Sequence, residues 1–347
     1  MSSRQLGALY VSNPVSIAYV TGFSANPHER LMGLVVRPQA ATLIVPALER
    51  QKAAEHATGA EVVSWADGED PYTLVARAMP GVSEIGVEKG HLTLHTAELI
   101  TTRVGASELV DVGAEIRRMR LTKSEEEIEK LARAGAITDA ATEQILDRLH
   151  EGQTESAVAF EISSVIGELG GALSFPSLVQ SGPNSALPHL EPSNRKLAPG
   201  DLVLLDFGAS YDGYKADTTR MAVVGPPSEQ QKEMHQVVLD AHDAAIAAVR
   251  PGVTTGDVDA AARAVIERAG YGERFFHRVG HGLGLEGHED PSLDPGSRTV
   301  LEPGMVFTVE PGVYIPGFGG VRIEDDLAVT ADGCRLLTRA DRSLRVI

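Results

Sequence analysis

Cysteine and long apolar runs are both scarce in this chain of 347 residues. With a single cysteine, Cys334, the chain cannot form an intrachain disulfide. This suits a reducing compartment, and we expect the protein in the cytoplasm. The amino-terminal stretch interrupts its apolar residues with Ser12, Asn13 and Pro14, and it lacks the basic segment and unbroken apolar core of a signal peptide. No later segment is apolar over the length of a membrane span. The sequence therefore predicts neither secretion nor membrane insertion.

Positive charge is also in deficit. Lysine and arginine number 31 against 48 aspartates and glutamates, which gives a formal net charge of -17. Such a field repels polyanions, so nucleic acid and anionic membrane surfaces are not expected as partners. Hydrophobic residues make up 43% of the chain, enough for a full core, and the length exceeds that of a usual single domain. We therefore expect two domains.

The first third of the chain has the pattern of a small α/β domain. The runs GLVVRP, ATLIVP and EIGVE are apolar and rich in β-branched residues, and they are bounded by glycine, proline or charge, as short strands are. An amphipathic helix follows, for which the sequence suggests a capping box of Thr122 and Glu125 and an end near Gly152. We place the domain boundary near Arg120, which gives domains of residues 1–120 and 121–347.

The second domain repeats itself. The segment HEGQTESAVAFEISSVIGELGG is echoed by RPGVTTGDVDAAARAVIERAGYG, and each has a glycine, a threonine two residues later, a helix and a glycine stop. PHLEPS is echoed by GHEDPS, which sets His189 opposite His288. LAPGDLVLLDFG then aligns with LEPGMVFTVEPG without gaps. The same order of features in both halves predicts a duplicated α/β unit.

Four carboxylates occupy corresponding positions of the two halves. Asp206 ends a run of valine and leucine, Asp217 follows eleven residues later, and the alignment sets them opposite Glu310 and Glu324. If the halves pack around a pseudo-twofold axis, all four acids enter one cleft. Buried carboxylates are costly unless they are paired or bound to a cation, and four of them together repel one another. The pattern therefore predicts a multivalent cation.

The segment HRVGHGLGLEGHEDP adds an imidazole to these acids. His281 lies between two glycines, where the backbone lets the ring approach a shared site, and His288 follows seven residues later. Four carboxylates and one imidazole suit two divalent ions such as manganese, cobalt or zinc. Two metal ions can share a water molecule, lower its pKa and stabilise a tetrahedral intermediate. The constellation indicates hydrolysis.

These segments resemble the creatinase and aminopeptidase superfamily, whose pita-bread fold is shared by methionine aminopeptidase, aminopeptidase P and prolidase. The resemblance rests on DFGASYDGYKADTTR, HRVGHGLGLEGHEDP, FTVEPGVY and GGVRIEDD, and it covers residues 121–347. It implies a pita-bread catalytic domain with pseudo-twofold halves, preceded by a smaller α/β domain of the kind that aminopeptidase P and prolidase carry. It also implies five metal ligands, of which Asp217 and Glu324 would bridge the ions: Asp206, Asp217, His281, Glu310 and Glu324.

The same resemblance implies further roles around the metals, for His189, His277, His288, Tyr314 and Arg322. Glu310 is expected to move a proton from water to the leaving amine. His189 and His288 are expected to donate to the scissile carbonyl or its oxyanion. Arg322 is expected on the same face of a strand as Glu324, fixing that carboxylate or Tyr314. For His277, a hydrogen bond to a backbone carbonyl is an equal alternative.

Within the superfamily we expect hydrolysis of Xaa-Pro bonds. Methionine aminopeptidase usually lacks the separate amino-terminal domain, and creatinase lacks the metal ligands. Aminopeptidase P is preferred over prolidase because Ser292 stands where many prolidases carry an arginine for the free carboxylate of a dipeptide. Prolidase is the alternative if another arginine, from this chain or a partner subunit, replaces it. A remote alternative is a binding module that has lost catalysis, as in histone chaperones.

The resemblance finally implies cofactors and partners. We expect two divalent metal ions per subunit, manganese first and cobalt or zinc as alternatives. The substrates would be short peptides with proline at the second position. In relatives the amino-terminal domain supports dimerisation, so a homodimer is expected.

Overall fold

The computed structural model describes residues 6–347, and the chain separates into two compact units, Met1–Arg120 and Leu121–Ile347. The first five residues of the stretch examined for a signal peptide lie outside this described range. Among residues 6–347, no helix combines the length and the apolar character that crossing a bilayer requires.

A six-stranded mixed sheet forms the centre of the amino-terminal unit, with apolar clusters on its two faces. The predicted strand segments GLVVRP, ATLIVP and EIGVE coincide with its second, third and fifth strands. The elements are β1 (Ala8–Val11), α1 (Pro14–Thr21), β2 (Gly33–Arg37), β3 (Ala40–Pro46), α2 (Arg50–His56), β4 (Glu61–Trp65), α3 (Tyr72–Ala78), β5 (Glu84–Val87), α4 (Leu94–Val104), β6 (Glu108–Asp111) and α5 (Gly113–Leu121). The strand order is β4-β3-β2-β1-β5-β6.

The second unit combines four helices with several small sheets, which confirms the predicted α/β class. Its helices are α6 (Glu125–Arg148), α7 (Glu155–Glu168), α8 (Glu229–Ala248) and α9 (Thr255–Arg268). Its strands are β7 (Ala172–Leu173), β8 (Leu178–Ser181), β9 (Leu202–Phe207), β10 (Ala209–Tyr211), β11 (Tyr214–Lys215), β12 (Thr218–Val223), β13 (His281–Gly282), β14 (Glu289–Ser292), β15 (Val306–Val309), β16 (Gly312–Ile315), β17 (Gly319–Arg322), β18 (Asp325–Val329), β19 (Cys334–Leu336) and β20 (Arg345–Val346).

The capping box of α6 lies two residues later than predicted. Ser124 is the N-cap, its hydroxyl accepts from the backbone N–H of Glu127, and the Glu127 carboxylate accepts from the backbone N–H of Ser124. Thr122 is instead bridged to Met305 in extended conformation, so it is not available as a cap. The helix ends at Arg148, ahead of the predicted end near Gly152.

The two halves of this unit share a pattern of backbone hydrogen bonds. The N–H of Gly152 donates to the carbonyl of Leu197 at 2.9 Å, and the N–H of Gly252 donates to the carbonyl of Leu301 at 3.0 Å. Each glycine stands two residues before a threonine N-cap, which begins α7 in one half and α9 in the other. The repeat seen in the sequence is therefore also a repeat of structure.

The two halves share an arrangement of strands, each in its own sheet. The first has the order β20-β12-β9-β8 and the second the order β14-β13-β15-β18-β19. In each, an apolar strand pairs antiparallel with the strand that follows the second acid: β9 with β12, and β15 with β18. A backbone bridge between Thr219 and Glu324 connects the two sheets. The segments that carry the four acids are therefore adjacent.

Candidate active site

The four predicted carboxylates lie at corresponding places on these strands. Asp206 is the penultimate residue of β9, and Asp217 directly precedes β12. Glu310 directly follows β15, and Glu324 directly precedes β18. Because β9 pairs with β12, β15 pairs with β18, and Thr219 bridges Glu324, all four side chains enter one cleft.

His281 enters the same cleft from β13. A Cβ atom at the preceding Gly280 would lie 1.9 Å from the Thr308 carbonyl oxygen, so only glycine permits this approach of the two backbones. The Nε2 atom of His281 lies 3.2 Å from Oε1 of Glu310 and 3.8 Å from Oδ2 of Asp217. The expectation that glycine lets the imidazole reach the acids therefore agrees with this geometry.

The five residues form a donor set that fits divalent cations. Three overlapping groups have potential ligand atoms within 4.8 Å of one another, and together they contain all five predicted ligands and His288. Oδ1 of Asp206 and Oδ1 of Asp217 are buried and have no hydrogen-bond partner among residues 6–347. A buried carboxylate oxygen without a partner is costly, and an oxygen-rich set with one imidazole suits hard divalent ions.

The charge state of the protein without metal follows from burial and crowding. Burial, then the neighbouring Glu324 and Asp206, raises the pKa of Asp217 well above its usual value. Burial and Glu310 raise the pKa of Glu324 in the same way, and burial raises the pKa of Glu310 to about 7. Burial and His288 lower the pKa of His281 to about 3, which keeps its imidazole neutral, the form that binds metals.

Arg322 connects three groups of the site. Its Nη2 contacts the Asp206 carboxylate, its Nη1 donates to the Tyr314 hydroxyl at 3.1 Å, and its Nε donates to the Thr219 hydroxyl at 2.9 Å. The Thr219 hydroxyl donates in turn to Oε2 of Glu324 at 2.6 Å. The strand expectation was wrong: β17 ends at Arg322, and Glu324 lies beyond it, where the chain passes between sheets.

Thr219 was not identified from the sequence. It stands two residues after Asp217, and side chains two apart in extended chain share a face, which was the available signal.

His277 makes the backbone contact considered for it and a second contact, to Tyr314. Its Nδ1 lies 2.7 Å from the Arg278 carbonyl oxygen, and its Nε2 lies 3.0 Å from the Tyr314 hydroxyl. Burial, together with the charge of Arg322, lowers the pKa of His277 from 6.5 to about 4. The imidazole therefore stays neutral in the folded protein and orients Tyr314.

This pKa shift predicts a pH dependence of stability. Between pH 6.5 and pH 4 the unfolded chain protonates His277 and the folded metal-free protein does not, so stability is lost as the pH falls through this window. The His277→Gln variant should lack this contribution. Between pH 7 and pH 4, its unfolding free energy should therefore fall by about 2 to 3 kcal/mol less than that of wild type. Urea unfolding of metal-free proteins measures the difference. The exposed His150→Gln variant is the control, and equal pH slopes for wild type and His277→Gln would contradict the prediction.

A cavity of about 620 Å³ opens onto the carboxylates. His189 and His288 lie exposed on its wall, and neither imidazole has a hydrogen-bond partner among the described residues. The ring of His288 lies 3.9 Å from that of His281, measured between centroids. The wall also includes Ser174 and four apolar residues, Phe175, Leu178, Pro188 and Phe276.

Two cations in this wall were not identified from the sequence. Arg278 lines the cavity, and its Nη1 donates to the Ser292 hydroxyl at 2.7 Å. Lys215 lines the cavity from β11, two residues before Asp217. The sequence shows that Arg278 follows His277 and that Lys215 stands two residues before Asp217. Closeness in sequence alone does not show that a side chain faces a cavity.

Comparison with known proteins gives two family matches. Residues 129–331 match Metallopeptidase family M24, and residues 1–122 match the Creatinase/Prolidase N-terminal domain.

Individual relatives are similar over nearly the whole chain. A Xaa-Pro dipeptidase of Lactobacillus helveticus is 42% identical over 346 residues, which cover 97% of this chain and 94% of the relative. The structure of prolidase from Pyrococcus furiosus has a TM-score of 0.92 at 35% identity and covers 99% of both chains. The structure of an X-Pro aminopeptidase from Thermotoga maritima has a TM-score of 0.90 at 32% identity and covers 100% of this chain and 99% of that one.

Proposed function

This chain belongs to metallopeptidase family M24, and on that premise we propose that it is a prolidase, which hydrolyses the peptide bond of Xaa-Pro dipeptides. It is a peptidase with a pita-bread catalytic unit like that of the prolidase structures it matches. The relatives named Xaa-Pro dipeptidase favour prolidase over aminopeptidase P, the function preferred from the sequence. That preference rested on Ser292, which stands where many prolidases carry an arginine.

The observation that carries the proposal is the position of Arg278. Its guanidinium contacts the hydroxyl of Ser292, so a cation stands beside the position where the sequence had none. One Nη1 hydrogen is used in this contact, and the guanidinium has further N–H donors for a carboxylate. Arg278 is thus the arginine from elsewhere in the chain that would bind the free carboxylate of a dipeptide.

We assign the metal site to the five predicted residues. Asp206, Asp217, His281, Glu310 and Glu324 would hold two divalent ions. The unpartnered oxygens of Asp206 and Asp217 support this assignment, as does the neutral His281. When bound, such ions supply Lewis-acid chemistry, which lowers the pKa of water and stabilises developing negative charge.

The remaining chemistry belongs to side chains of the cavity. Glu310 would take a proton from the attacking water and deliver it to the leaving proline nitrogen. The Thr308 hydroxyl, which donates to Oε1 of Glu310 at 3.1 Å, would hold that carboxylate in place. His189 and His288 would donate to the oxygen of the scissile carbonyl, since neither imidazole makes a hydrogen bond to the described residues. Arg322 and His277 would hold Tyr314.

The proposal predicts a preference for a free carboxylate. With manganese bound, wild type should hydrolyse Ala-Pro with a kcat/KM at least about tenfold above that for Ala-Pro amide or Ala-Pro-Ala, because only the dipeptide presents a carboxylate to Arg278. The Arg278→Met variant should reduce this ratio toward one, chiefly through KM for Ala-Pro. Steady-state kinetics on the three substrates measure it.

The exposed Arg274→Met variant is the control from the same segment. A wild-type preference for the tripeptide would reject prolidase in favour of aminopeptidase P. Unchanged ratios in Arg278→Met would reject Arg278 as the carboxylate contact.

Other expectations stay predictions. They are manganese as the native metal, cytoplasmic location, the homodimer, and domains bounded at Arg120. Sedimentation equilibrium tests the dimer, and a monomer mass would reject it.

A further inference from the structure

Lys215 presents a second cation to the cavity. It is the last residue of β11 and stands two residues before Asp217. Both residues line the cavity, while the intervening Ala216 and the preceding Tyr214 are buried and are not part of its lining.

The ammonium of Lys215 has no hydrogen bond or ion pair with any residue of the described chain. This distinguishes it from Arg278, which is held by Ser292, and from Lys130, whose Nζ lies 2.8 Å from Oδ2 of Asp212. An unpaired cation in a cavity rich in carboxylates is available to a ligand.

The backbone fixes the position of Lys215. Asp212 and Gly213 join β10 and β11 with positive φ values of 49° and 82°, the conformation of a tight hairpin turn. The N–H of Lys215 also donates to the carbonyl of Gly284 at 2.9 Å. Lys215 is therefore held against the loop of residues 283–288, which carries His288.

Gly287 in that loop leaves room beside His288. It lines the cavity, and a Cβ atom built on it would meet no atom within 4 Å. Its φ does not lie in the left-handed region, so the backbone does not require glycine here. The loop therefore leaves open space at Gly287, and the carbonyl of Gly284 in the same loop accepts from the backbone N–H of Lys215.

We propose that Lys215 and Gly287 form a subsite for an acidic side chain on the first residue of the substrate, so that Glu-Pro and Asp-Pro are accepted. The inference rests on the proposed hydrolysis of Xaa-Pro dipeptides. Arg278 is assigned to the carboxylate that every dipeptide has, and a second cation has an anionic partner only when the first residue is acidic. Without Lys215, the carboxylates of the cleft would repel such a side chain.

The test compares Glu-Pro with Gln-Pro, which have nearly the same shape and differ in charge. The measured quantity is the ratio of their kcat/KM values with manganese-loaded enzyme. Lys215→Met should lower this ratio about tenfold, and Lys215→Glu should lower it further, because a cation is removed and then reversed. Lys130→Met, whose ammonium is paired with Asp212, is the matched control and should keep the wild-type ratio.

An unchanged ratio in Lys215→Met would overturn the subsite. A loss of both dipeptides in equal proportion, with Ala-Pro amide spared, would also overturn it, because Lys215 would then bind the carboxylate of proline. If the enzyme instead proves to prefer tripeptides, the proposed prolidase function fails separately. The same ratio for Glu-Pro-Ala and Gln-Pro-Ala then decides whether the subsite exists.

Discussion

The Asp217→Asn variant is expected to lose at least about a thousandfold in kcat/KM and, without metal, to be more stable than metal-free wild type. Both effects have one cause. Asp217 is buried with an unpartnered oxygen, and Glu324 and Asp206 repel its charge. A divalent cation compensates this repulsion, and asparagine removes it together with the affinity for the cation. We expect a gain of about 1 to 3 kcal/mol in unfolding free energy for the metal-free protein.

The size of this gain should depend on pH. Because the pKa of Asp217 is raised in the folded state, the unfolded chain releases the proton at a lower pH than the folded protein does. The stability of metal-free wild type therefore falls as the pH rises above about 4, and the advantage of asparagine grows. Thermal unfolding in chelator at pH 5 and pH 8, with metal analysis of the purified proteins, measures both predictions.

The exposed Asp240→Asn variant serves as a control, since its carboxylate accepts only from Gln236 on the surface of α8. Bound metal at the wild-type level in Asp217→Asn would contradict the assignment of Asp217 as a ligand. A lower stability of the metal-free variant would contradict the account of the repulsion.

The Arg220→Met variant is expected to destabilise the protein by about 3 to 5 kcal/mol. Arg220 is 1% exposed, and its Nη2 donates at 2.7 Å to Asp325, which is 0% exposed. Burial alone would raise the pKa of Asp325, but Arg220 and His242 hold it well below its ordinary value. Removal of the guanidinium leaves a buried carboxylate with less compensation, which is far more costly than the loss of a surface pair.

Urea unfolding of the metal-free proteins measures this loss. Arg335→Met breaks an exposed pair with Glu129 and should cost less than about 1 kcal/mol. Adding Asp325→Asn to Arg220→Met should recover part of the stability, because the orphaned charge disappears. Oδ2 of Asp325 also lies 3.1 Å from Nε2 of His242 and 2.5 Å from Nε of Arg342. A loss below about 1 kcal/mol for Arg220→Met would show that these two contacts compensate Asp325 without Arg220.

The sequence repeat predicted the centre of the site because it shows both where strands end and where two backbones approach closely. Apolar strands fix where Asp206 and Glu310 leave the sheet, and glycine is the only residue that permits the approach at Gly280. Residue type and order alone therefore placed four carboxylates and His281 in one cleft.

The features that the sequence did not show depend on side-chain direction and on contacts between segments that are distant in sequence. The preference for aminopeptidase P rested on Ser292, and the sequence does not show that Arg278, fourteen positions earlier, reaches its hydroxyl. Ser124 rather than Thr122 caps α6 because Thr122 pairs with Met305, a contact between distant segments. In the sequence, Lys215 cannot be distinguished from a surface lysine. In the structure it lines the cavity.

The bridge between Thr219 and Glu324 bears on how such a chain could arise. Two of the three ligand groups combine residues from both halves, and the third, His281, Glu310 and Glu324, lies within the second half, so neither half alone contains all five ligands. An ancestral unit of this kind would have needed a second copy of itself to bring ligands from two halves together, at a cost set by its concentration. Fusion of the copies removes that dependence. It also releases each half to change separately, and the first half now supplies short aspartates where the second supplies longer glutamates.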